Sequence, residues 1–172
     1  PTASGERLWV DFSWTPFTDE TGKGVLLIPE GRDITARKQA EFALALQEER
    51  FRSAFDHAPI GLALVSPSGR WLRVNEALCR LVGYDEDTLL AASFQDITHP
   101  DDLASDLHLV RDMLDGRIQT YQLEKRYLHR NGSMVPVLLS VSLVRDADGQ
   151  PLYFISQILD IAPQKRAETI MR

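Results

Sequence analysis

Three segments in the C-terminal part of the chain alternate apolar and polar residues with the period of two that is typical of half-buried β-strands. They cover residues 119–129, 134–145 and 150–160. The turns between them contain Asn131-Gly132 and Asp146-Ala147-Asp148-Gly149, and such residues favour tight hairpins. Two shorter extended runs lie earlier in the chain, at 62–66 and 71–74. The pattern therefore predicts five antiparallel strands.

Helical signals fill the interval between the second and third of these strands. Asn75 is a suitable N-cap for a helix over 76–82 that Gly83 ends. Further on, His99-Pro100-Asp101-Asp102 places a proline and two acids in the first turn of a longer helix over 101–115. The order β-β-α-α-α-β-β-β indicates an α+β fold in which an antiparallel sheet carries its helices on one face.

An internal repeat links the two ends of the chain at a spacing of 127 residues, from Asp33 to Asp160. The segment from Asp33 to Glu41 recurs from Asp160 to Glu168, and the turn at Asp19-Glu20-Thr21-Gly22 recurs at Asp146-Ala147-Asp148-Gly149. We therefore expect two copies of one hairpin. The predicted organisation is a hairpin of a preceding, truncated domain at 1–33, a connecting signalling helix at 34–55, a complete domain at 56–162 and the start of an exit helix at 163–172.

Composition narrows the classes of function. The 172 residues have a net charge of −6, which argues against nucleic-acid binding and against an anionic membrane surface, because both need clustered positive charge. A single cysteine, Cys79, excludes an internal disulfide and fits a reducing, cytoplasmic location. The longest apolar stretch, 58–65, is far shorter than the roughly 20 residues of a membrane span. Because the chain starts at Pro1 without a signal sequence, we expect a segment of a longer protein.

Several short motifs together resemble the PAS domain family. The matching motifs are Phe51-Arg52-x-x-Phe55, Ala58-Pro59-Ile60-Gly61, Val74-Asn75-x-Ala77-Leu78, Leu81-x-Gly83-Tyr84, His99-Pro100-Asp101-Asp102, Glu124-x-Arg126, Asn131-Gly132-Ser133, and Asp160-Ile161 with its copy Asp33-Ile34-Thr35. The resemblance implies a five-stranded antiparallel sheet with helices on one face around a small cavity, here preceded by a hairpin remnant and a linker helix. It also implies a bacterial sensing and relay module that forms homodimers.

The same resemblance implies that the flanking helices pass a signal to a covalently linked output domain. In this family such domains are often diguanylate cyclases, cyclic-di-GMP phosphodiesterases or histidine kinases. The segment itself is not expected to be an enzyme, since it has no nucleophile elbow, phosphate loop or dinucleotide fingerprint. The alternative interpretation is a sensor that binds a small ligand or a cofactor in its cavity.

Strand alternation and the resemblance together predict the candidate site residues. In the last strand the even positions from Leu152 to Ile158 are expected to face inward and the odd positions outward. Candidate pocket residues are Leu64, Leu78, Val82, Phe94, Leu107, Val110, Leu123, Leu139, Val141, Phe154, Ser156 and Ile158, for which ordinary core packing is the alternative. Candidate interface residues are Leu44, Phe51, Phe55, Tyr153, Ile155 and Gln157. Candidate signal-relay residues at the junctions between sheet and helix are Asp33, Asp160 and Ile161.

No cofactor of the family is identified by the sequence, so the cofactor is left unknown. Cys79 lies outside the motif that carries the reactive cysteine of flavin photoreceptors, which disfavours a photoactive flavin. A heme-binding histidine would fall near Ser105, about one turn from His108, which disfavours heme. No histidine or cysteine has metal-ligand spacing, so no metal site is predicted. The aspartates of the long helix, opposed only by Arg111, are interpreted as a solvated face; they are Asp101, Asp102, Asp106, Asp112 and Asp115.

Overall fold

A computed structural model describes residues 5–22 and 24–171. The chain divides into two compact units, one up to Arg52 and one from Ser53 onward. The elements are β1 (Val10–Thr18), β2 (Val25–Asp33), α1 (Thr35–Asp56), β3 (Gly61–Val65), β4 (Trp71–Val74), α2 (Glu76–Val82), α3 (Glu86–Leu90), α4 (Phe94–Ile97), α5 (Pro100–Leu114), β5 (Thr120–Leu128), β6 (Met134–Arg145), β7 (Pro151–Asp160) and α6 (Ala162–Ile170).

The first unit contains the predicted hairpin and most of helix α1. Strands β1 and β2 pair antiparallel without a register shift, from Val10 opposite Asp33 to Thr18 opposite Val25. Asp19 and Gly22 close the turn between them, since Gly22 N donates to Asp19 O at 3.0 Å. The expected N-terminal hairpin is therefore confirmed, while its origin in a preceding domain stays a prediction.

The second unit is built on a five-stranded antiparallel sheet in the order β4-β3-β7-β6-β5. The last strand in sequence, β7, is therefore the central strand, flanked by β3 and β6. Helices α2 to α5 contribute to one core cluster with the inner face of the sheet. This arrangement confirms the predicted α+β fold with helices on one face.

Most helix ends follow the predicted signals. The Asn75 side chain accepts a hydrogen bond from Leu78 N at the start of α2, and Gly83 ends that helix with a φ of +77°. Helix α5 starts one residue earlier than expected, at Pro100, with His99 as its N-cap. The one-turn helix α4, where Ser93 N and Oγ both donate to Asp96 Oδ2, was not predicted from the sequence. Its single turn is too short to show a helical period.

Candidate functional site

A small internal cavity lies between the inner face of the sheet and the helices of the second unit. Its volume accessible to water is about 20 Å³, which is enough for one water molecule. A larger occupant requires its walls to move. The lining residues are Val65, Trp71, Phe94, Asp106, Val110, Tyr121, Lys125, Tyr127, Leu139, Val141, Phe154 and Ser156.

An ion pair is buried in the wall of this cavity. Lys125 Nζ on β5 donates to Asp106 Oδ2 on α5 at 2.6 Å, and the two side chains are 0% and 1% exposed. Lys125 Nζ also donates to Thr98 Oγ1 at 3.1 Å, and Tyr121 OH donates to Asp106 Oδ1 at 2.8 Å. Both charges are thus hydrogen-bonded, as burial of an ion pair requires.

Aromatic rings complete the surroundings of the lysine. The Lys125 ammonium lies 4.4 Å from the ring centroid of Tyr127 and 5.0 Å from that of Phe94, within cation–π distance of both. Burial raises the pKa of Tyr121, and the negative charge of Asp106 raises it further. Tyr121 therefore stays a neutral hydrogen-bond donor to the carboxylate across the physiological range.

The sequence predicted a solvated acidic face on α5, and this prediction is wrong for Asp106, which is buried. Asp106 lies three residues after Leu103 and four before Val110, so it shares the stripe of α5 that faces the core. Its partner Lys125 occupies an inward position of β5, two residues from the buried Tyr127. Charged residues at two core-facing positions were the signal that could have predicted the pair.

A second carboxylate of α5 forms an ion pair nearer the surface. Asp102 accepts three hydrogen bonds from Arg126: from Nε at 2.9 Å, from Nη2 at 2.8 Å and from the backbone N at 2.8 Å. These bonds lower the pKa of Asp102 to about 2, with the side-chain bonds as the largest cause. The pair fastens the first turn of α5 to β5.

Eleven of the twelve predicted pocket residues fall into three groups, and the twelfth, Leu64, lies on the outer face of the sheet. Six of them line the cavity: Phe94, Val110, Leu139, Val141, Phe154 and Ser156. Leu78, Val82 and Ile158 are buried in the core away from its lining, and Leu107 and Leu123 are half-buried against that core. Six further residues line the cavity that the sequence did not predict: Val65, Trp71, Asp106, Tyr121, Lys125 and Tyr127.

Two orientations predicted from alternation are wrong. Leu64 lies on the outer face, because the buried positions of β3 are Gly61, Ala63 and Val65. Residues 62–65 are all apolar, so their pattern does not specify which face is buried. Leu152 is 47% exposed because the register shift between β6 and β7 leaves it without a directly paired residue. Phe154, Ser156 and Ile158 face inward as predicted.

One buried donor beside the cavity has no partner. Trp71 is 3% exposed and lines the cavity, and its indole Nε1 makes no hydrogen bond to any residue in 5–22 or 24–171. An unsatisfied buried N–H costs about 1 to 3 kcal/mol. A water molecule or another small hydrogen-bond acceptor in the cavity would satisfy it.

The relay candidates occupy equivalent junctions. Asp160 Oδ1 accepts a hydrogen bond from Ala162 N at 2.8 Å, so the last residue of β7 binds the first backbone N–H of α6, whose N-cap is Ile161. Ile161 is 8% exposed and its N donates to Pro136 O at 3.1 Å. Asp33 stands in the same relation to α1, since it accepts from Thr35 N at 2.9 Å. Hydrogen bonds from Thr35 lower the pKa of Asp33.

The interface candidates differ in exposure. Leu44 and Phe51 on α1 are 58% and 52% exposed. On β7, Gln157 is exposed and Tyr153 and Ile155 are half-buried, all on the outer face of the sheet.

Phe55 is different, because it is 5% exposed within the second unit. Its ring lies 4.6 Å from the Arg73 guanidinium carbon. The prediction that Phe55 is an interface residue is therefore wrong, because the last turn of α1 buries its side chain within the second unit.

The reactive residue types that the sequence raised lie outside the cavity. The His108 side chain is 71% exposed and its Nε2 lies 3.4 Å from Asp112 Oδ2. Cys79 is half-buried, and this burial is the main cause that raises the pKa of its thiol. Within residues 5–22 and 24–171, no three His, Cys, Asp or Glu side chains are grouped as metal ligands. In the same ranges no helix has the length and apolar character that crossing a bilayer demands.

Comparisons with known proteins place these features in a family context. A family model described as "PAS fold" matches residues 72–158. The chain is 50% identical over 123 residues to the probable diguanylate cyclase DgcE of Escherichia coli, covering 72% of this chain and 11% of that protein. It is 28% identical over 131 residues to the sensor histidine kinase TmoS of Ectopseudomonas mendocina, covering 76% of this chain and 14% of that protein.

A solved structure agrees with the fold. The PAS domain of an HTR-like protein from Haloarcula marismortui superposes with a TM-score of 0.59 at 25% identity, covering 72% of this chain and 99% of that one. The two curated relatives are much longer than this chain, which spans 11% and 14% of their lengths.

Proposed function

Since the chain belongs to the PAS family, we propose that it is a cytoplasmic relay and dimerisation module of a larger signalling protein. In this proposal a conformational change in the sheet of the second unit is passed through α6 to a linked output domain. The observation that carries the proposal is the direct connection between β7 and α6. Only Ile161 separates the two elements.

Strand β7 connects the cavity with that junction. Phe154 and Ser156 line the cavity, and Asp160, four residues after Ser156, accepts a hydrogen bond from the first residue of α6. A second contact holds the helix, since Lys165 Nζ donates to Glu124 Oε2 on β5 at 2.7 Å. A shift of β7 relative to β5 would therefore change the direction in which α6 leaves the sheet. The proposal therefore requires β7 and α6 to have two alternative arrangements that the cavity and the output domain both influence.

The relatives support the kind of output domain. One is named a probable diguanylate cyclase and the other a sensor histidine kinase, and in both the matched part is a small share of the length. We propose that this chain likewise passes its signal to a catalytic domain outside the 172 residues. A diguanylate cyclase is the proposed output domain, because the chain is 50% identical to the matched segment of that relative. No catalytic role is proposed for the segment itself.

The relay is tested in a chimera, with the second unit of this chain, through α6, replacing the corresponding segment of the E. coli cyclase. Asp160→Ala removes the acceptor at the start of α6 and should change the specific cyclase activity by at least about fivefold, the low end of typical coupling between sites. The matched control is Asp146→Ala, because Asp146 accepts from Asp148 N and Gln150 N in the turn at the other end of β7. Equal activity in both variants would refute the relay.

The dimerisation half of the proposal rests on apolar residues at the surface. Tyr153 and Ile155 lie on the outer face of the sheet, and Leu44 and Phe51 are exposed on α1. Ile155→Glu should raise the dimer dissociation constant at least about tenfold in sedimentation, since about 1.4 kcal/mol corresponds to a factor of ten. Gln119→Glu adds the same charge at an exposed position after α5 and should leave dimerisation unchanged. If both variants dimerise equally, the interface lies elsewhere.

A second candidate function, binding of a small ligand in the cavity, is favoured by the unpartnered Trp71 Nε1. The ligand would carry a hydrogen-bond acceptor and would have to open a cavity of about 20 Å³. A native mass spectrum of freshly purified protein tests this candidate. Extra mass that is lost on denaturation, and is absent from Trp71→Phe, supports it. A bare mass in both proteins argues against it.

A further inference from the structure

The hairpin of the first unit has the same strand register as the β6–β7 hairpin of the second unit, at the constant spacing of 127 residues, as far as the pair Phe17–Leu26. Beyond this pair only the second hairpin has a register shift, between Val144 and Arg145. The equivalent cross-strand pairs are Val10–Asp33 and Val137–Asp160, Phe12–Gly31 and Leu139–Ile158, and Trp14–Pro29 and Val141–Ser156. Because a slip of one residue would exchange the two faces of a strand, this agreement identifies which side of the first hairpin corresponds to the buried side of the second.

The junction with the following helix is repeated as well. Thr35 N donates to Asp33 Oδ1 at 2.9 Å, as Ala162 N donates to Asp160 Oδ1 at 2.8 Å. The backbone bonds around each junction are Ile34 N to Trp9 O and Ile161 N to Pro136 O, then Lys38 N to Ile34 O and Lys165 N to Ile161 O. Residues 9–38 therefore reproduce the local structure of residues 136–165.

The glycines of the turns agree too. Gly22 has a φ of +69° and its equivalent Gly149 has +79°. More informative is Gly5, with a φ of +80°, because its equivalent Gly132 has +87° and lies in the turn that joins β5 to β6. Gly5 thus shares the left-handed backbone conformation of its equivalent glycine.

The two hairpins differ in what covers them. In the second unit β6 also pairs with β5, and β7 also pairs with β3. Within residues 5–22 and 24–171, by contrast, β1 and β2 pair only with each other. The inner residues Leu139, Val141 and Phe154 are 3%, 4% and 2% exposed, and their equivalents Phe12, Trp14 and Leu27 are 60%, 60% and 54% exposed. An apolar face with two unpaired edges is unstable in water on its own.

We infer that the first hairpin forms the last two strands of a second PAS sheet. The segment that pairs with its edges and covers its apolar face precedes it in the same polypeptide. This segment would have the fold of residues 53–133: a strand like β5 pairing with β1, a strand like β3 pairing with β2, and helices covering Phe12, Trp14 and Leu27. The repeat favours a covalently connected segment over a second copy of the chain, because in the second unit the strands and helices around β6 and β7 all precede them in the same polypeptide.

The chain itself supplies a test. A second copy of residues 53–133 is placed directly before Arg7 of the otherwise complete chain, because Arg7 is equivalent to Met134. Hydrogen exchange is then compared between this extended chain and the 172-residue chain. The amides on the free edges of β1 and β2 should exchange at least about tenfold more slowly in the extended chain, as expected when exposed strand edges become paired.

A register control accompanies the test. Joining the same copy to Leu8 instead of Arg7 removes one residue and directs the apolar side chains of β1 to the wrong face, so the protection should be lost. Unchanged exchange in the extended chain would overturn the inference. Protection of the same amides in the 172-residue chain that rises with protein concentration would also overturn it, because a second copy would then be the occupant. Neither result depends on the relay proposed above.

Discussion

Lys125 and Asp106 form an ion pair with a 2.6 Å distance between Nζ and Oδ2, and both side chains are excluded from solvent. The pair joins β5 to α5 across a separation of 19 residues in sequence. This ion pair connects the sheet to α5 within the wall of the cavity. Its contribution to the fold should be visible when one partner is removed.

Lys125→Met leaves Asp106 without its counter-charge in a buried position. Removing one partner of a buried ion pair typically costs about 3 to 5 kcal/mol, so we expect a loss of this size in urea unfolding followed by circular dichroism. The double variant Asp106→Leu/Lys125→Met should recover most of this loss, apart from about 1 kcal/mol for the Tyr121 hydroxyl that loses its acceptor. A single variant as stable as the parent, or a double variant no better than the single, would contradict this account.

The pair also illustrates what the sequence could and could not predict. Turns and strand alternation depend on neighbouring residues, and they predicted all five strands of the sheet and the inward side of β7 from Phe154 to Ile158. The meeting of Asp106 with Lys125 depends on how α5 packs on β5, which no local pattern contains. Leu64 was misplaced for a different reason, because a strand that is apolar on both faces carries no information about its register.

Acid should weaken the second unit through Asp102. Arg126 lowers the pKa of this carboxyl to about 2, so the stabilisation is complete above the ordinary value of about 3.8 and is lost as the pH falls toward 2. After allowance for screening at Arg126, which is 39% exposed, we expect about 1 to 2 kcal/mol. The measurement is urea unfolding of the parent and Asp102→Asn between pH 6 and pH 2.

The difference in the free energy of unfolding between the parent and Asp102→Asn should shrink as the pH falls below 4. Asp148→Asn, at an exposed position of the turn between β6 and β7, serves as the control, because it makes the same carboxyl-to-amide change away from the contact between Asp102 and Arg126. A difference between the parent and Asp102→Asn that does not change with pH would show that the Arg126 contact acts by shape and not by charge.

The buried amide of Asn75 connects three elements of the second unit. Its Oδ1 accepts from Leu62 N and Leu78 N, and its Nδ2 donates to Phe55 O and Ile60 O, all within 2.9 to 3.0 Å. Asn75→Ala leaves four backbone groups without their partner, each worth about 1 kcal/mol or more. We therefore expect a loss of about 3 kcal/mol or more in urea unfolding.

Asp85→Ala is the matched control for this prediction. Asp85 is also a helix N-cap, but its side chain makes only one cap bond, from Thr88 N at 2.8 Å, at an exposed position. The usual cost of such a cap is about 1 kcal/mol. Equal losses in the two variants would mean that Asn75 acts only as the cap of α2 and does not connect it to β3 and the end of α1.

Gly83 and Gly116 share a φ of +77° but differ in their surroundings. A Cβ on Gly83 would collide with the ring of His129, whereas one on Gly116 would meet no atom within 4 Å. Gly116→Ala should cost about 1 kcal/mol, from the left-handed backbone alone. Gly83→Ala should cost at least about 1 kcal/mol more, because the clash adds to the same backbone strain.

If the clash is the cause, the cost of Gly83→Ala measured in a His129→Ala background should fall to that of Gly116→Ala. The measurement is urea unfolding of all four proteins and the parent, and an unchanged cost in the His129→Ala background would assign the effect to the backbone of the turn.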